Sequence, residues 1–163
     1  MVADGKNILL VEGINRDVLE SIERCYNQWK DQPRDICRDI RNRSIDEKCE
    51  AIFGYLASMT TYKLDPDGIQ QIKSPARLLK DGKGDCKSLA MFINCCLHSA
   101  GVPRHCFRFV NFDGGDQYSH VYAVAWDEQG REIVMDDCEK DEDGVILMDY
   151  ARPYSKKRDI FCN

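Results

Sequence analysis

The chain has no long apolar run, no surplus of positive charge, no proline- or glycine-rich linker, and no C-x-x-C or H-x-x-x-H pair. Each absence removes a class of protein. The longest apolar run near the start is Ile8 to Val11, too short for a signal peptide or a membrane span. The expectation is therefore a cytoplasmic protein with no membrane partner. Lysine and arginine number 23 against 28 aspartates and glutamates, and a net charge of −5 gives no electrostatic footprint for a nucleic acid. With no repeat or linker to divide it, a chain of 163 residues is long enough for one domain with a proper core and short for two. Hydrophobic residues at 43% and charged residues at 31% fit a globular chain rather than a disordered one.

Cysteine is plentiful. The nine are Cys25, Cys37, Cys49, Cys86, Cys95, Cys96, Cys106, Cys138 and Cys162. An odd number in a chain of this size, without a secretion signal, argues against a disulfide framework and for reduced thiols packed as small hydrophobes. The densest grouping (Cys95, Cys96, His98, His105 and Cys106) lacks zinc-ligand spacing, so neither a metal nor a cofactor is expected.

Residues 15–58 read as helical. Val18, Leu19, Ile22, Cys25, Tyr26 and Trp29 share one face until Pro33 breaks the pattern, and Ile36 and Ile40 suggest a short second helix. "SIDE" at 44–47 is a capping box that introduces Ile45, Cys49, Ile52, Phe53 and Leu56 as a third amphipathic face. "LDPDG" at 64–68 is a turn, and Ser74-Pro75 reads as N-cap and first helical residue. A helix after Gly84 carries Leu89, Ala90, Ile93, Leu97 and Ala100 and stops at Gly101-Val102-Pro103. Beyond Pro103 the period becomes two: "HCFRFVNF" (105–112), "SHVYAVAW" (119–126) and "REIVMD" (131–136) read as strands. Helices followed by antiparallel strands indicate an α+β domain, with N-terminal helices packed on an antiparallel sheet. The tail from Arg152 is basic and turn-like, with a solvated or loosely docked end expected. "DCEKDEDG" at 137–144 has Glu142 where a calcium loop needs glycine, and reads as an acidic surface turn.

"GKGDCKSLAMF" at 82–92 places a thiol where packing would sooner ask for leucine or alanine. If the helix starts near Asp85, Cys86 lies in its first turn, where unpaired N–H groups and the helix dipole favour a thiolate. Such placement can lower a thiol pKa from about 8.5 to ~3.5–7.5. The glycines, Gly84 among them, let the backbone turn tightly, and the amides around Asp85 and Cys86 could hold a developing oxyanion. A nucleophilic cysteine wants a base. His98 falls about three turns, or ~18 Å, from the helix start and cannot reach. His105 heads a strand with no obvious orienting carboxylate. His120 begins the strand that continues through Tyr122, Val124 and Trp126. "DEQG" at 127–130 has the signature of a type I turn with a glycine bulge, which pairs Asp127 with Arg131, Tyr122 with Asp136 and His120 with Cys138. His120 and Asp136 are then diagonal neighbours within side-chain reach. A two- or four-residue loop would instead bring Asp137, which is kept as the reserve acid.

"SPARLLKDGKGDCKSLAMFINCCLHSAGVP", "SHVYAVAW" and "REIVMDD", in that order, resemble the transglutaminase-like superfamily, which shares a papain-like core. The resemblance covers residues 45–138, leaving 1–44 as a helical N-terminal extension and 139–163 as a C-terminal segment of a single domain. "AIFGYLASMTTYKLDP" (51–66) resembles the helix that commonly precedes the motif. The resemblance implies Cys86 as nucleophile, His120 as general base and Asp136 as orienting acid. Asp137 stands where many members have proline. Lys87 follows Cys86 where the protein-crosslinking animal enzymes carry tryptophan, a departure that tells against crosslinking. Tyr122 stands where many relatives carry tryptophan, and could flank the acyl group or pack. Gln70 or Gln71 could serve an oxyanion hole or sit in a solvated turn. The function expected is cysteine-dependent hydrolysis of amide bonds in a peptide or protein substrate. The alternatives are acyl transfer to an amine, or a non-catalytic peptide-binding module on the same fold.

Overall fold

The change from helical to alternating period at Pro103 divides the molecule into two layers. The computed structural model describes residues 7–10, 16–65 and 70–163. Among the described residues, four α-helices precede the main sheet: α1 Arg16–Trp29, α2 Ile45–Met59, α3 Pro75–Asp81 and α4 Cys86–Ser99. Their ends follow local chemistry. Ser44 Oγ accepts the Glu47 N–H at 3.2 Å, and Ser74 Oγ accepts that of Arg77 at 3.2 Å ahead of Pro75. Helix α4 stops where Gly101 turns left-handed at φ 79° and the Val102 N–H returns to Leu97 O at 2.9 Å.

Helix α4 is the centre of the fold, with every residue except His98 buried. On one side α2 presents Ile52, Phe53 and Leu56 to Leu89, Phe92 and Ile93. On another, α1 packs Val18, Ile22, Tyr26 and Trp29 around Met91 and Cys95. The third side meets the sheet of β5 His105–Asn111, β6 His120–Trp126, β7 Glu132–Met135 and β8 Lys156–Phe161, which run antiparallel in the order β7-β6-β5-β8. Phe107, Phe109, Val121, Ala123 and Met135 cover α4, while Cys106, Tyr122, Val124 and Trp126 form a separate cluster. Arg108, on β5, bonds Glu132 on β7 and Asp159 on β8 at 2.7–3.0 Å, clamping the sheet across its width.

The hairpin between β6 and β7 fixes what stands at the sheet's end. Asp127 and Arg131 pair with a 3.0 Å bond, Gly130 takes φ 82°, and Ala123 faces Met135. This register carries His120 and Asp136 to the same end, as the type I turn and bulge require.

The structure departs from the sequence reading in several places. The N-terminal 44 residues are not wholly helical. Strand β1 (Asn7–Leu10) pairs antiparallel with β3 (Gln70–Lys73), and residues around Ile40 form a single 3₁₀ turn over Arg38–Ile40. The 51–66 helix ends at Met59, because Thr61–Tyr62 (β2) pairs in parallel with Lys83–Gly84 (β4). The basic tail is not loosely docked: β8 adds to the edge of β5, with Ile160 packed on the core and Cys162 buried. Its lysines and arginine are what an edge strand carries to discourage further pairing, and they disguise the strand. The helix start at residue 15, Val11 and residues 66–68 of the "LDPDG" turn lie outside the described residues.

Candidate active site

Cys86 is the first residue of α4, and Asp85 is its N-cap, accepting the Lys87 N–H at 3.1 Å. The thiol is 7% exposed and borders a depression of about 510 Å³. His120 opens β6 and Asp136 follows β7, where the sheet ends beside the start of α4. The ring Nε2 donates to Asp136 Oδ2 at 2.8 Å, and Asp136 Oδ1 accepts the Cys138 N–H at 3.1 Å. With Nε2 engaged, Nδ1 is the ring nitrogen left for a thiol. Burial pulls the His120 pKa down, but its hydrogen bonds to Asp136 and to the Cys86 sulfur, and their charges, outweigh burial and carry it up to about 10. The imidazole is thus held as imidazolium at neutral pH between a carboxylate and a sulfur.

Asp137, the reserve acid, does not bond His120. It is buried, its Oδ1 has no hydrogen-bond partner, and burial with the neighbouring Asp136 pushes its pKa up to about 7. His105 bonds Asn94 Oδ1 at 2.8 Å within the core, where burial depresses its pKa to about 3. His98 reaches Asp31 at 3.3 Å.

The four residues suggested for oxyanion or substrate binding lie close to this site or to the start of α4. Tyr122 is buried in the cluster with Val124 and Trp126, its ring 5.7 Å from that of His120. Gln71 lies in β3 opposite Leu9, and its N–H donates to Asp65 Oδ2 at 2.7 Å. The Asp85 carboxylate turns back onto Lys87. Gly84 is required by packing: a Cβ there would come 2.7 Å from Leu78 Cδ1 and 3.1 Å from Ser88 Cβ. Gly84→Ala is expected to destabilise the protein by about 1–3 kcal/mol, measured by urea unfolding, because Leu78 is itself fully enclosed.

Lys87, Asp65 and Tyr62 were not singled out from the sequence as site residues. The Lys87 ammonium is 2% exposed and lies between the carboxylates of Asp85, with which it makes a short ion pair, and Asp65 at 3.2 Å. Burial opposes its charge, yet the negative charges of Asp85, Cys86 and Asp65 leave its pKa raised. Burial lifts the Asp85 pKa to about 6 although Lys87 pulls it down. The cluster thus ties the chain leading into β3 to the first turn of the nucleophile's helix. Lys87→Met would leave two buried carboxylates facing one another, at a cost of roughly 3 kcal/mol and a Tm fall of about 6–12 °C. In calorimetry the deficit should shrink as the pH is lowered and Asp85 takes up a proton. Tyr62 edges the depression at Cys86 and a second one, of about 590 Å³, at His120. Burial and the nearby Cys86, Cys138, Asp85 and Asp136 all raise its pKa. Only a parallel two-residue pairing puts it there, and no periodicity signals that.

Among the described residues, His120, Asp136 and Cys138 bring nitrogen, oxygen and sulfur donors within 4.8 Å of one another. Two of those donors are already joined in the 2.8 Å hydrogen bond, so the geometry is that of an oriented imidazole beside a thiol.

Solved structures share this fold. Legionella pneumophila LapG in its calcium-bound form matches with a TM-score of 0.57 at 19% identity, over 89% of this chain and 83% of that one. A candidate protease from Parabacteroides distasonis matches with a TM-score of 0.61 at 13% identity, over 72% of this chain and 25% of that one. A candidate cysteine protease from Cytophaga hutchinsonii matches with a TM-score of 0.53 at 11% identity, over 96% and 62%. No curated protein matches the chain. The family model described as the transglutaminase-like superfamily matches residues 32–136, more than half of the chain. That span takes in the cap of α4, the start of β6 and the carboxylate after β7, and the chain belongs to the transglutaminase-like superfamily.

Proposed function

We propose that the protein is a cysteine-dependent amide hydrolase, a peptidase or amidase, with Cys86 as nucleophile, His120 as general acid and base, and Asp136 as the group that orients the imidazole. The observation that carries this reading is the His120–Asp136 hydrogen bond at the sheet's end, with the Cys86 sulfur beside the same ring and open to a cleft. In the first step the thiolate adds to the amide carbonyl carbon, and the carbonyl oxygen takes the negative charge. The helix's own ladder leaves the Cys86 N–H without an acceptor, which makes it the proposed oxyanion donor. Collapse breaks the C–N bond as His120 gives its proton to the departing amine, leaving a thioester. Water then adds as His120 takes its proton, and the thioester collapses to carboxylic acid and thiolate.

Iodoacetamide labelling tests the central pair. Burial raises the pKa of Cys25 to about 11 and those of Cys49 and Cys106 to about 12, and it also raises those of Cys95, Cys96, Cys138 and Cys162. Cys37 is lowered by a hydrogen bond from Cys96 but is 2% exposed in the core. At pH 6 the label should therefore enter Cys86 first, and His120→Ala should slow that reaction by about 100-fold, because the ring beside the sulfur is lost. Indifferent labelling, or a rate unchanged by His120→Ala, would instead support a non-catalytic binding module.

A further inference from the structure

The depressions at Cys86 and His120 share Tyr62 and Ser119, so they form one groove crossing the catalytic pair. Its two halves differ in charge. Around Cys86 the walls carry Asp65, Asp85, Asp113 and Asp116 against Lys87, whose ammonium is already engaged by two of them, with Lys156 at the rim. Asp113 is held by the Gly115 N–H at 2.9 Å. Lys156 lies over the Tyr118 ring and bonds the Asp116 carbonyl, while Asp113 and Asp116 are both exposed, so acids still outnumber cations on this half. Around His120 the charges are Arg152 and Lys140 against Glu139, beside a ring whose own charge is paired with Asp136. The Arg152 guanidinium sits 4.2 Å from the centre of the Phe112 ring, which in turn lies 5.8 Å from the His120 ring. Stacking on Phe112 fixes this cation at the mouth of the groove before any ligand arrives.

We propose that the groove takes an extended polypeptide of split charge, with basic residues over the Cys86 half and acidic residues over the His120 half, so that the bond attacked lies at the junction of the two. This inference rests on the hydrolase reading for the cut itself, but not for the binding preference. A chain laid across Tyr62 in one direction meets complementary charge on both sides, whereas a chain of the reverse order meets like charge on both. Complementarity of this kind selects register and direction more than raw affinity.

The test uses two peptides of identical composition, one with a lysine block preceding a neutral centre and a glutamate block following it, the other with the blocks exchanged. Binding to Cys86→Ala protein is read by fluorescence anisotropy, which requires no turnover. One order should bind about tenfold more tightly than the other at low salt, and the gap should narrow at high salt. The combined substitutions Asp113→Lys, Asp116→Lys and Arg152→Glu should invert the preference. Equal binding of both orders, or a preference indifferent to the charge reversal, overturns the proposal. Cleavage of both peptides by wild type is scored separately. Cys86-dependent cutting without charge preference removes the split-charge substrate and keeps the hydrolase. Charge-selective binding without any cutting does the reverse.

Discussion

Cys86→Ala should lower turnover of a cleavable peptide by about 10⁵-fold or more, because the acyl-enzyme route needs a sulfur at that atom. The fold should survive: Cys86 is a small residue at the first turn of α4, whose N-cap is the Asp85 carboxylate. Far-ultraviolet circular dichroism and the unfolding midpoint should stay close to wild type. A variant keeping more than about one per cent of the wild-type rate would remove Cys86 from the reaction, since loss of a nucleophile is ordinarily near total. Cys138, which borders the neighbouring depression, is the residue to examine in that event. Burial and the charge of Asp136 both hold its thiol protonated, so it is a poor substitute at neutral pH.

Asp136→Asn carries the second large effect. The amide keeps the size of the side chain but not its charge, so the imidazole loses the partner that fixes its orientation and stabilises its protonated form. A fall in kcat of roughly 10³–10⁴ is expected, with a smaller change in KM. The pH dependence gives a readout that mere loosening would not move. Folding raises the His120 pKa from an ordinary value near ~6.5 to about 10, with burial opposing the shift and Asp136 and Cys86 producing it. A raised base stabilises the fold fully below its unfolded pKa, and that stabilisation is lost as the pH climbs through about 10. Asp136→Asn should therefore cost most at pH 6, on the order of 2 kcal/mol, and progressively less through pH 8 to 10. The alkaline edge of Cys86 alkylation by a neutral reagent should also respond differently in the two proteins. Identical pH profiles would show that the carboxylate does not speak to the ring.

Much of this site follows from local rules. The Asp127–Gly130 turn dictates a register, the register sets His120 and Asp136 at one end of the sheet, and a helix cap at Asp85 sets Cys86 at the start of α4. Each depends on residues close in sequence, which is why the pattern was readable. What escaped depends on pairing between distant short segments. Tyr62 enters the site through a two-residue parallel pairing with β4, and no alternation marks so short a strand. Lys87 was legible as a departure from a family pattern, but its burial between Asp65 and Asp85 requires the 60–65 segment to fold back on α4. The C-terminal strand was obscured by its own charges, because an edge strand needs only one apolar side. The packing demand at Gly84 was likewise hidden, because the Leu78 side chain that fills the space beside it comes from another element.

Strand β8 has a temporal consequence. Residues 156–161 cover the edge of β5, and the carbonyl of Asn163 accepts from the Tyr26 hydroxyl at 3.2 Å and the Lys30 ammonium at 3.3 Å. Helix α1 therefore meets these partners only after the chain has been made through residue 163. Until then the nascent polypeptide shows an uncovered row of amides and carbonyls along Cys106–Asn111, a template for pairing with a neighbouring copy. The interval between the making of β5 and the arrival of β8 is when this edge is most exposed to aggregation.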